Sequence, residues 1–405
     1  MFMSLGKPAR ATALAFAVLL SACGGGGDHH GSAPPDNSGP PGGSTGPTYD
    51  VIPLGIPGAF GNITRQGIAN GGIVAGTSYG GPGGLARAFL YKGSTQVDLG
   101  TLGGAFAQAL GVNRCGHVTG LSARADGLAH AFLYDGAMHD LGTLGGSESA
   151  GNVINNCGKI AGWAVVAFGR PHAFLYDGKT MRDLGTLGGN QSYGLAINNV
   201  GQVVGQAFGP GDAWYHAFLY DSRTGAPMQD LGSPSVNSIA VDINDAGQVV
   251  GWWRNGDPGP APVGAFYYEA GVMRDIGTLG GNYAEAVDIN EAGIAVGNSN
   301  LADGADRGFV YDGKTMTSIG SLGGSRYSAA VAINNSGLVV GASTLSSSGE
   351  EHAISWTAKD GIVDLNERMH EPPAGLVLVR ALAVADDGNI AVRTNQGLAL
   401  LKLRH

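Results

Sequence analysis

One pattern recurs along this chain from about residue 49 to its end, and it constrains the fold more than any local motif. Its clearest copy runs from Met181 to Asp221. It reads MRDLGTLGG, then NQSYGLAINNVG, then QVVGQAF, then HAFLYD. The second position of the HAFLY element falls at Ala88, Ala131, Ala173, Ala217, Ala265, Gly308 and Ala353, a spacing of forty-odd residues. Self-similarity at such a period means one supersecondary unit, stacked on its own copies.

Each unit offers four short strands. Strand a ends in Ile-Asn (Tyr193 to Asn198), b is the VVG stretch (Gln202 to Gln206), c is HAFLY (His172 to Tyr176) and d is M-x-D-L (Met181 to Leu184). All are rich in Val, Ile, Leu, Phe and Tyr, as strands are. No segment has a helical period with caps. Glycine, 72 of 405 residues against about 7% in ordinary proteins, marks the turns. Between a and b stands Asn-x-x-Gly, as in Asn198 to Gly201, Asn244 to Gly247 and Asn290 to Gly293. Asn at the first position can bond the backbone two residues on, and Gly at the fourth accepts positive φ. Asp-Gly recurs between c and d, at Asp135, Asp177 and Asp312. Gly-Thr-Leu-Gly-Gly, as in Gly142 to Gly146, is expected to be a flexible crossing from one sheet to the next.

Four strands per unit of 40–50 residues is the period of a propeller blade. The fold class expected is all-β, a β-propeller of about eight four-stranded blades, with seven as the alternative. An array of β-sandwiches or a prism-like closure are the competing architectures. The ends support the ring. A lone d-like piece, Val51 to Leu54, opens the pattern, and a degenerate a, b and c (Val379 to Ala385, Asn389 to Arg393, Leu398 to Leu401) finishes it. The N-terminal strand would then join the C-terminal strands and close the ring, removing exposed edges. Residues 49–405 are therefore read as one domain, expected to be monomeric.

The combined motif resembles the HAF-repeat family of predicted extracellular bacterial proteins, named for His-Ala-Phe. HAFLY stands at His130, His172 and His216, and departs at Arg87, Gly264, Arg307 and the copy at His352. The resemblance covers roughly residues 90 to 360. It implies secretion and repeats, and no defined activity.

The N-terminus agrees with export. Lys7 and Arg10 precede the apolar run Ala11 to Leu20, which is too short to span a bilayer and suits a secretory signal. The run ends in Leu20-Ser21-Ala22-Cys23, which resembles the lipobox of bacterial lipoproteins. That resemblance implies a signal peptide over 1–22, a diacylglycerol on the Cys23 thiol and a further acyl chain on its amine. Two or more chains hold a protein stably at a membrane. Gly24 in place of Asp favours the outer membrane, on its periplasmic side or at the cell surface. Residues 23–48, rich in Gly, Pro and Ser, read as a tether.

Function is less legible. A net charge of −9 with 14% charged residues argues against nucleic acid, which needs clustered Lys and Arg. No catalytic set, cofactor motif or metal site stands out. His130, His172, His216 and His352 hold one equivalent position, so a bond within each blade, to Asp140, Asp183 or Asp230 of strand d, accounts for them better than a shared metal. The Asn, Asp and Glu of the a–b turns supply too few oxygens for calcium. Glu350-Glu351 and Asp386-Asp387 sit beside turns. Cys115 and Cys157 occupy one repeat position in consecutive units, so a disulfide stapling two blades is possible outside the cytoplasm.

The b–c joins vary in length while the others do not, and variable loops on a fixed scaffold are where binding sits. Trp214, Tyr215, Trp252 and Trp253, from consecutive units, are candidate binding-face aromatics, with capping of the blade core as the alternative. The function expected is a lipid-anchored envelope scaffold for a glycan or protein, without catalysis. The alternatives are a propeller hydrolase or lyase acting on an envelope or extracellular polymer, or a plain spacer. The enzyme would need unrepeated polar residues converging on the axis. Arg254, Asp257 and Glu285 are unrepeated but scattered.

Overall fold

The computed structural model describes residues 46–55, 60–80, 85–256, 263–346 and 348–404. Cys23 and Asp257 lie outside these residues. The chain is an all-β propeller of four-stranded antiparallel sheets, each the a-b-c-d unit read from the sequence. The third blade is Gly145–Ile154, Ile160–Val166, Pro171–Tyr176 and Met181–Asp183, paired in that order. The fifth and sixth blades touch through one parallel bridge, Val263 to Tyr283, and otherwise keep separate four-stranded pairings. The N-terminal strand Tyr49–Leu54 pairs antiparallel with the last strand, Gly397–Leu403. The eighth blade is thus built from both ends of the chain.

The core lies between blades rather than within them. Side chains alternate across a strand, so His and Phe of each HAF element face one neighbouring blade while Ala and Leu face the other. Phe174 packs with Ala131 of the second blade, whereas Ala173 and Leu175 pack with Ile197 and Phe218 of the fourth. The same arrangement joins the eighth blade to the first, through Leu54, Leu398 and Leu400 against Ile63, Val74 and Phe89.

Two glycine roles are strict. The fourth a–b turn position has positive φ in each copy, for example 79° at Gly158 and 89° at Gly201. The VVG glycine lies under a bulge of strand a. A Cβ on Gly162 would stand 2.0 Å from the Ala150 carbonyl oxygen, closer than any side chain can come.

Two expectations need correction. Gly-Thr-Leu-Gly-Gly does carry the chain between blades, but it is a braced turn and not a flexible one. The Thr143 hydroxyl donates to Gly146 O (2.9 Å) and accepts from Gly145 N (3.2 Å). In the first unit, the strand a expected of every unit is broken by a 3-10 turn at Arg65–Gly67 between the short strands Phe60–Asn62 and Ile68–Ala69. Polar Arg65 and Gln66 stand where the other units carry small or mostly apolar residues, and Gly67 N closes the turn onto Thr64 O (2.9 Å).

Candidate functional site

The repeated polar residues serve the framework. His130, His172, His216 and His352 each place Nδ1 against the Asp of their own strand d, at 2.8, 2.9, 3.0 and 2.6 Å from Asp140, Asp183, Asp230 and Asp364. Each a–b turn Asn works in two directions. Asn155 Oδ1 accepts from Cys157 N and Lys159 N, closing its own turn, and its Nδ2 donates to Asn198 O of the next blade (2.9 Å). Asn198 hooks Asn244 O, Asn244 hooks Asn290 O, Asn290 hooks Asn334 O and Asn334 hooks Ala385 O, all at 2.9 to 3.1 Å. A second series, in which the next turn residue's N–H donates to a side chain of the following blade, runs from Asn335 N to Asp386 Oδ1 (2.9 Å) and on from Asp386 N to Asn70 Oδ1 of the first blade (2.9 Å).

Cys115 and Cys157 are free thiols at the third position of two such turns. The bridge between them is not formed. Cys157 Sγ is directed instead at Asn199 O of the next blade, 3.7 Å away.

The candidate aromatics divide. Trp214 stacks on His216 with ring centres 4.1 Å apart, and Tyr215 leans on Phe208 at 5.4 Å. Trp253 is half-buried and packs on the core between the fourth and fifth blades. It also explains why this blade lacks the HAF histidine. A Cβ on Gly264, its cross-strand partner, would lie 2.2 Å from the indole. Trp252 is half-buried beside it, paired across strands with Ile239 and Ala265. The most exposed rings on this loop face are others. Phe168 is 95% exposed and Phe60 is 85% exposed, with Tyr79, Leu128 and Val236 also open. All five come from b–c or d–a joins or the strand ends next to them, in consecutive blades. Phe168 caps a tight hairpin in which Gly169 N bonds Val166 O. A phenylalanine in a short loop gives no sequence sign of its exposure.

Unrepeated polar residues also collect, in two places. Near the loop face, between the seventh and eighth blades, Arg380 bonds Glu351 and the Tyr327 hydroxyl (2.7 Å), and Arg393 Nη2 reaches Glu351 Oε2 at 3.2 Å. In the adjoining sixth blade Glu285 is buried and accepts from Asn298 Nδ2 (3.3 Å). Burial, with the Glu285 carboxylate beside it, pushes the Tyr283 hydroxyl up. Arg254 is half-buried on the fifth blade, away from this group in the chain.

The second place is the central channel. Two residues before the hook position, the other units carry Gly67, Gly111, Val153, Ala196, Ala332 and Ala383, but the fifth and sixth carry Asp242 and Asp288. Asp242 Oδ2 accepts from Ile289 N (3.2 Å) and Asp288 Oδ2 from Ile333 N (2.8 Å), so each also ties its blade to the next. Burial pushes the Asp242 carboxyl well up. The Asp288 charge and the hydrogen bond between the two act in the same sense, while Arg65 opposes them. A folded value above the unfolded one means that stability from this group is fully present below about pH 4 and is lost as pH rises through the folded value. Asp242→Asn is therefore expected to raise stability at pH 8 by about 1–3 kcal/mol and to flatten its alkaline decline, read from thermal midpoints between pH 4 and 9.

No protein-family model matches the chain, and neither does any curated protein. Solved structures are similar to it, a β-propeller domain among them. The β-propeller domain of the Trilobed protease from Pyrococcus furiosus is 10% identical, with a TM-score of 0.45 over 84% of this chain and 94% of that one. A puromycin-hydrolyzing peptidase of Mycobacterium tuberculosis is 12% identical, with a TM-score of 0.48 over 86% of this chain and 62% of the peptidase. The BP39L lectin from Burkholderia pseudomallei is 10% identical, with a TM-score of 0.41 over 78% and 97%. The class the fold defines is the β-propeller. A fold alone does not choose between catalysis and binding.

Proposed function

We propose that the protein is a lipid-anchored binding scaffold of the bacterial envelope, which presents its b–c loop face to a protein partner. The observation that carries this reading is that Phe60, Tyr79, Leu128, Phe168 and Val236, all exposed, stand on or beside the b–c and d–a joins of successive blades, which share one face. Large apolar groups left open together mark interaction sites, and a buried aromatic is the common anchor of a protein interface. The tryptophans that could stack on sugar rings lean instead on their own blades, which favours a protein over a glycan. The lipobox ending at Cys23 and the Gly/Pro/Ser tether support anchorage, with the outer membrane as the expected site.

A photo-crosslinking residue in place of Phe168, in cells making the full chain, is expected to yield a discrete protein adduct. The same residue in place of Val272, at a c–d turn, should yield none. Phe60→Ser in the same chain is expected to cut the Phe168 adduct at least tenfold. Equal adducts at both positions would remove the proposal, and a glycan-array signal without an adduct would replace it with sugar binding. Loss of membrane association in Cys23→Ser tests the anchor separately. A second reading, an enzyme, is favoured by the paired carboxyls Asp242 and Asp288, and turnover lost in Asp288→Asn would establish it.

A further inference from the structure

We infer that the a–b turn end of the central channel is a second site, separate from the loop face, which takes a short peptide with both ends free, its carboxylate at Arg114 and its ammonium at Glu291 and Asp386. A cavity of about 440 Å³ opens there, and its lining draws on all eight blades. That is within the usual size of small-molecule sites. Its layers follow from the register. The residues before the hook positions, among them Ile154, Ile197, Ile289 and Ile333, form an aliphatic inner belt, and the residues after them form a polar rim.

The rim is not uniform. In the fourth and seventh blades the rim asparagine uses both N and Nδ2 on the carboxylate of the next blade, Asn199 on Asp245 and Asn335 on Asp386. The run breaks at the second blade, because the Arg114 guanidinium accepts nothing. Asn70 before it and Asn156 after it each accept on Oδ1, and among the described residues their Nδ2 groups have no partner. Arg114 donates its backbone N–H to Asn156, and among the described residues its guanidinium forms no ion pair. A guanidinium between two spare amide donors suits a carboxylate.

Glu291 stands on the sixth blade, four blades round from Arg114 and so across the mouth. Its Oε2 accepts from Asp245 N (3.0 Å), and among the described residues no cation pairs with it or with Asp386. Burial pushes the Glu291 carboxyl up, and the charges of Asp245, Asp242 and Asp386 add to that against the hydrogen bond from Asp245 N. Like charges held together this way favour a cation among them. Asp242 lies deeper, on strand a, and accepts from Ile289 N. A simple anion would meet the three lining carboxyls, and a simple cation would leave Arg114 unpaired. A peptide with free ends answers both walls, and its side chains meet the aliphatic belt.

The probes are unblocked alanine peptides of two to four residues, which span about 7–14 Å when extended, and their N-acetyl and C-amide forms, added to the purified full chain. Isotope-labelled isoleucine methyls report binding without any substitution. Saturable shifts at Ile154, Ile197 and Ile289 with a free peptide are expected, about tenfold weaker once either end is blocked. Arg114→Met should weaken the free peptide about tenfold and leave its C-amide form unchanged. Glu291→Gln keeps an acceptor for Asp245 N. It should weaken the free peptide and leave its N-acetyl form unchanged. The Phe168 adduct should persist in both variants, which separates this site from the loop face. No saturable shift with any free peptide, equal binding of free and blocked forms, or a loss in Arg114→Met shared by the C-amide form would overturn the proposal.

Discussion

A chain that starts at Gly55 is expected to be recovered aggregated or unfolded, and to regain a cooperative melt when a synthetic peptide of residues 48–54 is added. The six-residue N-terminal strand pairs along its whole length with the last strand. Tyr49 and Leu54 are 2% and 4% exposed. Burying two such side chains stabilises by about 2–3 kcal/mol each, so their loss approaches the 5–15 kcal/mol that hold a whole domain folded. Removing them also bares the edge of a long apolar strand, GLALLKL, a template for pairing with another chain. A truncated chain with an unchanged melting point would show that the eighth blade does not depend on its borrowed strand.

The second large effect concerns the turn asparagines. Asn155→Ala removes the acceptor of the Cys157 and Lys159 N–H groups and one of the two donors to the Asn198 carbonyl, which keeps Gly201 N. At about 1 kcal/mol for each of the three hydrogen bonds removed, the loss should be about 3 kcal/mol, read as a lowered midpoint in thermal or urea unfolding. Asn155→Asp keeps both acceptor contacts and removes only the donated hook. It should keep the turn but still be destabilised, because a carboxylate then faces a carbonyl. If Asn155→Asp matched the native chain, the contact between blades would contribute nothing.

Much of this architecture is legible in the sequence because the repeat carries its own chemistry. The strand pattern, the positive-φ glycines and the His–Asp pairs were each readable from spacing and residue type. What was not readable depends on neighbours that are distant in sequence. That a turn asparagine has a spare N–H pair is plain; that a carbonyl 42 to 46 residues further on receives it is not. From the sequence alone Trp253 fits either the loop face or a cap on the blade core; Gly264 in place of histidine is the sign that something large lies across the strand. Asp242 and Asp288 give little sign of themselves in the sequence, because they sit inside an otherwise ordinary strand a. The signal was their position, small or apolar in the other units.

The direction of the hooks has a bearing on how such a protein can change over generations. From the second blade to the seventh, each unit carries its donor on one flank and the matching carbonyl on the other. The first unit has Ala69 at that position and the last has Ala385. A duplicated forty-odd-residue copy slipped in among the middle units would meet a ready acceptor and offer a ready donor, leaving the strand exchange between the termini untouched. The gene can lengthen or shorten by whole units, with both ends held constant.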